Sequence, residues 1–300
     1  MKPVTKIIFT DDNGIKFFGE GPFRLLLGVE KTGSLRAAAM EMEMAYSKAS
    51  KILKQAETNL GFHLTIRAVG GKDGGGSILT PEGKRWLRQY EAYRDACIKA
   101  NQSLYRQFFP KTGCVIMASG LGKRFGTNKL MADFHGKPMI LRALAATEGL
   151  FSDRVVVTRH ESIASLCRER NVDVVLHNLP NRNDTVRLGL EALGDLDCCV
   201  FLPGDQPLLR RETVAMLLEN WKENPDKIIR PVYEDTVGSP VLFPSWAFPE
   251  LRSLPEGKGG SAVVRNHPHD VLQVPVADPF ELADADTPEM LELLKGLCHD

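Results

Sequence analysis

CVIMASGLGKRFGTNKLM, residues 114–131, holds the strongest fold signal in the chain. CVIM is a short apolar run of the kind that forms a buried parallel strand. It leads directly into Ser119-Gly120-Leu121-Gly122-Lys123-Arg124-Phe125-Gly126. Glycines let backbone N–H groups approach phosphate oxygens, and cations that follow neutralise them. No Gly-Lys-Ser/Thr step follows, so this is not a P-loop, and the GxGxxxG spacing is not the dinucleotide GxGxxG. A glycine loop alone fits a structural turn as well as a phosphate cradle. Arg124 and Lys129 at fixed offsets favour the cradle.

Downstream, strand and helix patterns alternate. RVVVT (154–158), a helix around 161–170, VDVVL (172–176), a helix around 184–193, DCCVFLPGD (197–205) and a helix around 211–222 follow one another. This order predicts a parallel sheet with helices on both faces and a ligand at the C-terminal strand ends. The glycine loop and Asp205 both fall at such ends. Asp205, in Pro203-Gly204-Asp205-Gln206-Pro207, follows a buried strand. A carboxylate there suits Mg2+, which prefers hard oxygens and bridges substrate phosphates. A helix N-cap is the competing role, and spacing alone supports both.

Upstream the pattern changes. PFRLLLGVEK (22–31) reads as a helix broken by Gly33-Ser34, with Ser34 placed to cap the next helix, SLRAAAMEME. Residues 45–60 form a third helix, with Ala45, Ala49, Ile52, Leu53, Ala56 and Leu60 on one face. The opposite face shows Ser47, Lys48, Ser50, Lys51 and Lys54, and Gly61 closes the helix. HLTIRAV and SILT flank GGKDGGG (70–76), a glycine-rich hairpin carrying Lys72. Thr80-Pro81-Glu82-Gly83 opens a long helix to about residue 108. Three helices and such a hairpin make a winged helix-turn-helix. A basic helix face can simply be solvated. The wing favours DNA, and a domain that only dimerises is a third reading.

The boundary falls near Phe108–Gly113, giving domains of 1–110 and 111–300. Charge divides the same way. The chain has 38 basic and 38 acidic residues, but residues 1–110 hold 17 and 11, and residues 111–300 hold 21 and 27. A basic half suits a polyanion. With 43% hydrophobic residues, the 300-residue chain can build two cores; its composition excludes collagen, coiled coil and wholesale disorder. No membrane-length apolar run and no signal-peptide pattern occur, so a cytoplasmic protein without a membrane partner is expected. Cys97, Cys114, Cys167, Cys198, Cys199 and Cys298 lack CxxC spacing and read as reduced thiols. No Ser-His-Asp or Cys-His set stands out, and NHPHD, with His267 and His269, reads as a loop rather than a metal site.

Residues 20–95, through GSLRAAA, AYSKASKILK, LGFHL and GGKDGGGSILTPEG, resemble the DNA-binding domain of molybdate-responsive ModE regulators and, more distantly, LysR-type regulators. That resemblance implies contact with double-stranded DNA through Ser47, Lys48, Lys51, Lys54 and Lys72, and a homodimer. Residues 112–297 resemble the MobA-like nucleotidyltransferase superfamily, most of all its molybdenum cofactor cytidylyltransferase branch. The matching motifs are ASGLGKRFGTNKL, GKPMILRAL, VVVT, GDQPLL, GSPVLF (238–243) and ADADTPEML (283–291).

The second resemblance implies an α/β fold, a Rossmann-like nucleotidyltransferase sandwich behind the N-terminal winged helix-turn-helix. It also implies transfer of a nucleotide from CTP, or GTP, to the phosphate of molybdopterin, with Mg2+ and release of pyrophosphate. Ala118, Ser119, Gly120, Gly122, Arg124, Lys129, Asp184 and Thr185 would bind the nucleotide, with Arg124, Lys129 and Asp205 catalytic. Asp205 and Asp286 would bind metal, and Gly238 and Pro240 the acceptor. Ser119 stands where cytidylyl enzymes usually have Ala and guanylyl enzymes Gly, beside the base. The run Gly257-Lys258-Gly259-Gly260-Ser261-Ala262 departs from the family's Gly-Asp-Lys-Gly-Ala-Arg-like acceptor loop, and Arg265 is a cation one turn later. A different class of function fits the same halves: a transcriptional regulator whose transferase-like domain only senses a nucleotide or cofactor.

Overall fold

The computed structural model describes residues 3–68, 76–120, 125 and 128–298, and the chain divides into two compact units, Met1–Phe108 and Phe109–Asp300. Lys72, Gly122 and Arg124 lie outside the described residues.

The first unit begins with a hairpin of β1 (Phe9–Thr10) and β2 (Lys16–Phe18). Helices α1 (Glu20–Thr32), α2 (Leu35–Glu41) and α3 (Tyr46–Leu60) follow. Gly33 ends α1 with a left-handed φ of 67°, and Ser34 Oγ accepts the Ala37 N–H at 3.3 Å to cap α2. Gly61 ends α3 in the same left-handed way. Strands β3 (Thr65–Ala68) and β4 (Gly76–Leu79) pair antiparallel, and α4 (Pro81–Phe108) closes the unit.

Its core gathers Phe18, Leu25, Leu26, Leu53, Leu64 and Leu87. The expected apolar face of α3 is buried at Ala49, Leu53 and Ala56, whereas Ala45, the N-cap, is exposed because it precedes the first turn. The first turn of α4 is fastened to the start of the hairpin. Thr80 N–H donates to Leu64 O at 3.0 Å, and Thr80 Oγ1 accepts the Gly83 N–H at 2.8 Å. A Cβ at Gly83 would lie 2.2 Å from Leu64 O, so no side chain fits there.

The second unit runs β5 (Thr112–Ala118), the short β6 (Asp133–Phe134) and β7 (Lys137–Pro138), α5 (Ile140–Ala146), β8 (Asp153–Thr158), α6 (Glu161–Arg168), β9 (Asp173–Leu176), α7 (Arg182–Leu193) and β10 (Cys198–Pro203). Then come α8 (Arg211–Glu223), β11 (Ile228–Tyr233), β12 (Thr236–Val237), β13 (Val241–Pro244), α9 (Phe248–Arg252), α10 (Ser261–Asn266), β14 (Val271–Pro275) and α11 (Pro288–Leu297). The sheet order is β12-β11-β13-β10-β5-β8-β9, with β14 parallel to β11. Strands β10, β5, β8 and β9 are parallel, as the alternating pattern predicts. The sheet as a whole is mixed, because β13 runs antiparallel to both β10 and β11.

Side chains alternate across a strand, and that sorts the sheet into two apolar layers. Cys114, Ile116 and Ala118 of β5, with Val200 and Leu202 of β10, face Ile140, Ile163, Leu217 and Leu294 from α5, α6, α8 and α11. Val115, Val155, Cys199 and Phe201 face Val186, Leu190, Leu251 and Val263 from α7, α9 and α10. Burying each of the Val, Leu, Ile and Phe side chains is worth about 1.5–3 kcal/mol. At Gly189 the helix lies directly on the sheet, since a Cβ there would sit 2.6 Å from both Val115 methyl groups. All six cysteines are free, four of them buried. No helix among the described residues is long and apolar enough to cross a membrane.

Candidate active site

The chain leaves β5 for β8 and β9 on one side and returns through α7 to β10 on the other. The loops after β5 and β10 therefore diverge and open a crevice at the C-terminal strand ends. A cleft of about 580 Å3 occupies this position. Register puts Ala118, Thr158, Leu176 and Pro203 at one edge of the sheet, so the residue after each strand reaches the rim.

Lys129, Asp205 and Asp286 meet there. Lys129 enters on a short 3-10 turn capped by Asn128, whose side chain accepts the Leu130 N–H at 3.3 Å. Its Nζ donates to Asp205 and, at 2.8 Å, to Asp286 Oδ1. The Lys129 and Asp205 side chains keep only 13% and 19% of their surface in solvent, against 50% for Asp286. Burial lowers the lysine's proton affinity, but Asp205 and Asp286 outweigh it and hold the ammonium charged.

The 283–287 turn is fixed by the Ala285 N–H bonding to Asp205 O at 2.9 Å. Beside it, Asp284 accepts from Gln206 Nε2 at 3.0 Å. Partial burial and the charge of Asp205 push the Asp284 carboxyl up to about 6. Asp205 is thus an ion-pairing carboxylate in the cleft; the following helix, α8, is capped at Arg210.

On the other wall, Ala118 is buried and its carbonyl accepts from Thr158 Oγ1 at 3.0 Å. Ser119 and Gly120 line the cleft, and His160 Nε2 donates to Gly120 O at 3.0 Å. Thr185 lines it from the first turn of α7. Asp184 is engaged locally instead, because its carboxylate accepts the Asn181 N–H at 3.1 Å in a capping box. Gly238 packs against Leu282 and Pro240 is buried, so Ser239 between them faces the cleft.

Sequence reading missed Arg159, Arg182, His177 and Asp284. Arg159 and His177 follow strands β8 and β9, and that position was their available signal. Asp284 lies within ADADTPEML. Arg159 Nε is buried without a hydrogen-bond partner among the described residues. Arg182 reaches the glycine run after α9, where a Cβ on Gly259 would lie 3.3 Å from its Nε. His267 bonds Glu250 at 2.8 Å, as a loop histidine would. Among the described residues no group of three or more His, Cys, Asp or Glu side chains is arranged to hold a metal.

In the first unit Ser47, Lys48, Lys51 and Lys54 are all exposed on α3.

The model of the MobA-like NTP transferase domain matches residues 114–271, more than half of the chain. The model of the bacterial regulatory helix-turn-helix proteins of the lysR family matches residues 22–84. A probable molybdenum cofactor guanylyltransferase of Aquifex aeolicus is 32% identical over 111 residues, 37% of this chain and 54% of that protein. A 3-deoxy-manno-octulosonate cytidylyltransferase of Neisseria gonorrhoeae is 33% identical over 102 residues, 32% of this chain and 40% of that one. The chain therefore spans about half or less of the length of these relatives. The crystal structure of Rv0371c from Mycobacterium tuberculosis in complex with manganese superposes with a TM-score of 0.53 at 22% identity, over 63% of this chain and 100% of that one. At that identity the likeness is one of fold.

Proposed function

The chain belongs to the MobA-like NTP transferase domain family, and from that premise we propose that its second unit is a cytidylyltransferase acting on molybdopterin. An oxygen of the molybdopterin phosphate attacks the α-phosphorus of CTP, the bond from that phosphorus to the β-bridging oxygen breaks, and pyrophosphate leaves with the electron pair. Two anions must meet for this, and fixed cations and N–H groups offset their repulsion. The observation that carries the reading is the convergence of Lys129, Asp205 and Asp286 at the crevice beside Gly120.

Gly120 and Lys129, with Gly122 and Arg124 from the same loop, bind the triphosphate. Ala118, Ser119 and Thr185 border the nucleoside, and the Asp184 carboxylate acts on it only by shaping the first turn of α7. Gly238 and Pro240 set Ser239 toward the acceptor. The donor set suits a divalent cation: two carboxylates already converge on one positive charge, that of Lys129, and Mg2+ is commonly held by one or two carboxylates plus substrate phosphates. Asp205 and Asp286 would hold Mg2+, and the ion would supply charge neutralisation for the triphosphate. CTP is favoured over GTP by the GSPVLF and DADTP motifs.

In the first unit, Ser47, Lys48, Lys51 and Lys54 on α3 and Lys72 in the wing bind double-stranded DNA, in a homodimer working in the cytoplasm. The helix-turn-helix match also favours a second reading, a regulator that senses nucleotide without turnover.

One assay separates the two: pyrophosphate release with CTP, GTP and ATP, each with and without molybdopterin. Release with CTP and molybdopterin, abolished in folded Asp205→Ala, is expected. Absence of release with any nucleotide overturns the enzyme reading, and normal turnover in Asp205→Ala overturns the metal role.

A further inference from the structure

Gln206 turns off the end of β10 immediately after Asp205 and is only 3% exposed. Its amide has two N–H donors and one acceptor oxygen. Both donors are spent on the turn that carries Asp284 and Asp286. Nε2 donates to Leu282 O at 3.1 Å and to Asp284 Oδ1 at 3.0 Å. The amide cannot be turned over, because Oε1 would then face a carbonyl and a carboxylate, and both only accept. As it stands, Oε1 is buried and has no hydrogen-bond partner among the described residues. An interior acceptor without a donor is a cost that an apolar side chain of the same length would not carry. What the glutamine adds over such a side chain is its two N–H bonds.

Those bonds sort the carboxylates of the cleft. Asp205, Asp284 and Asp286 all line it. Ala285, fully buried, is pinned by its N–H to Asp205 O at 2.9 Å, so Asp284 and Asp286 leave the turn on either side of a fixed point. Lys129 Nζ, the cation already in the cleft, bonds Asp205 and Asp286 Oδ1. Among the described residues Asp284 makes no hydrogen bond to that ammonium; its Oδ1 is taken by Gln206.

We infer that Gln206 is a positioning residue that keeps Asp284 out of the cation site, so that the site offers two carboxylates rather than three and favours Mg2+ over Ca2+. This rests on the proposal above that Asp205 and Asp286 hold Mg2+. Mg2+ demands a small octahedral shell, keeps several waters and is held by one or two carboxylates. Ca2+ takes about six to eight oxygens in flexible geometry and gains from an added carboxylate. Without the Gln206 N–H groups, the Asp284 carboxylate, one residue from the pinned Ala285, is free to turn toward Asp205 and Asp286.

The test uses Mn2+, a paramagnetic ion that shares the oxygen-donor preference of Mg2+. Its binding to the full-length chain at pH 7.5 is read from the electron paramagnetic resonance of the free ion, and Mg2+ and Ca2+ then displace it. Gln206→Met keeps the length of the side chain and removes both donors. The ratio of Ca2+ to Mg2+ affinity should rise by at least about three-fold in this variant. Adding Asp284→Asn should return the ratio to the wild-type value, which a merely structural role for the glutamine would not do. Asp284→Asn alone, with Gln206 in place, should weaken both ions alike and leave the ratio within about two-fold of wild type. That variant decides the matter if Gln206→Met does not fold. A smaller rise in folded Gln206→Met, or a larger change of ratio in Asp284→Asn, overturns the inference and leaves the metal reading standing. If Mn2+ does not bind the wild-type chain, the metal reading itself fails and the inference falls with it.

Discussion

Removing the Lys129 ammonium should expose how much of the rim is held by charge. Unit charges in contact at an effective dielectric of about 20 attract by about 4–6 kcal/mol before desolvation. Lys129 and Asp205 keep 13% and 19% of their side-chain surface in solvent, so desolvation withdraws a large part of this. A net coupling of about 2 kcal/mol remains. Asp286 keeps 50%, and its pair with the same lysine should be worth no more than about 1 kcal/mol. Two double-mutant cycles, Lys129→Met with Asp205→Asn and Lys129→Met with Asp286→Asn, measure these couplings directly. The assay is urea unfolding in chelated buffer, followed by tryptophan fluorescence. Trp86 lies in the first unit, and Trp221 and Trp246 in the second, so a Trp86→Phe background reports the second unit alone. A coupling to Asp205 below about 0.5 kcal/mol, or one smaller than that to Asp286, would refute a rim held together through Lys129.

Asp284 gives a pH signature. Its carboxyl lies at about 6 against an ordinary 3.8, so the stability it contributes is complete below 3.8 and lost as pH rises through about 6. Asp284→Asn should melt above the wild-type chain at pH 7.5, and this advantage should shrink as pH falls to 4. Replacing Lys48, Lys51 and Lys54 with Ala should weaken duplex binding in anisotropy titrations and reduce the salt slope by about 2–3, near 0.9 for each phosphate no longer neutralised. An unchanged slope would remove α3 from the interface. Gly189→Ala drives a methyl into Val115 and should destabilise the second unit by about 1–3 kcal/mol in urea melts.

Much of the fold could be read because local chemistry specifies it. Ser34 caps α2 and Gly61 ends α3 through bonds made within a few residues. The alternating strands and helices through α8 stand where periodicity puts them. The direction of β13 could not be read, because VLFP is apolar whichever way it runs; its reversal is set by pairing with β10, far away in sequence. The β1–β2 hairpin was missed, although Asn13-Gly14 between FT and KFF is a turn signal, with Gly14 at a φ of 76°. In the cleft, residue types were legible at Lys129, Asp205 and Asp286, but their ion pairs span 76 and 157 positions and appear only once the sheet is built. Asp184 shows the reverse case, a site-like residue spent on a helix cap. His177 offered only its place after β9; its 2.8 Å contact with Ser119 spans 58 positions and appears only once the sheet is built.

The joint between Thr80, Gly83 and Leu64 has a mechanical consequence. Helix α4, with 28 residues, is a rod about 42 Å long. Its first turn is clamped to the root of the hairpin with no space for even a methyl group between them. The first turn of the rod and the root of the hairpin at Leu64 are therefore packed as one piece.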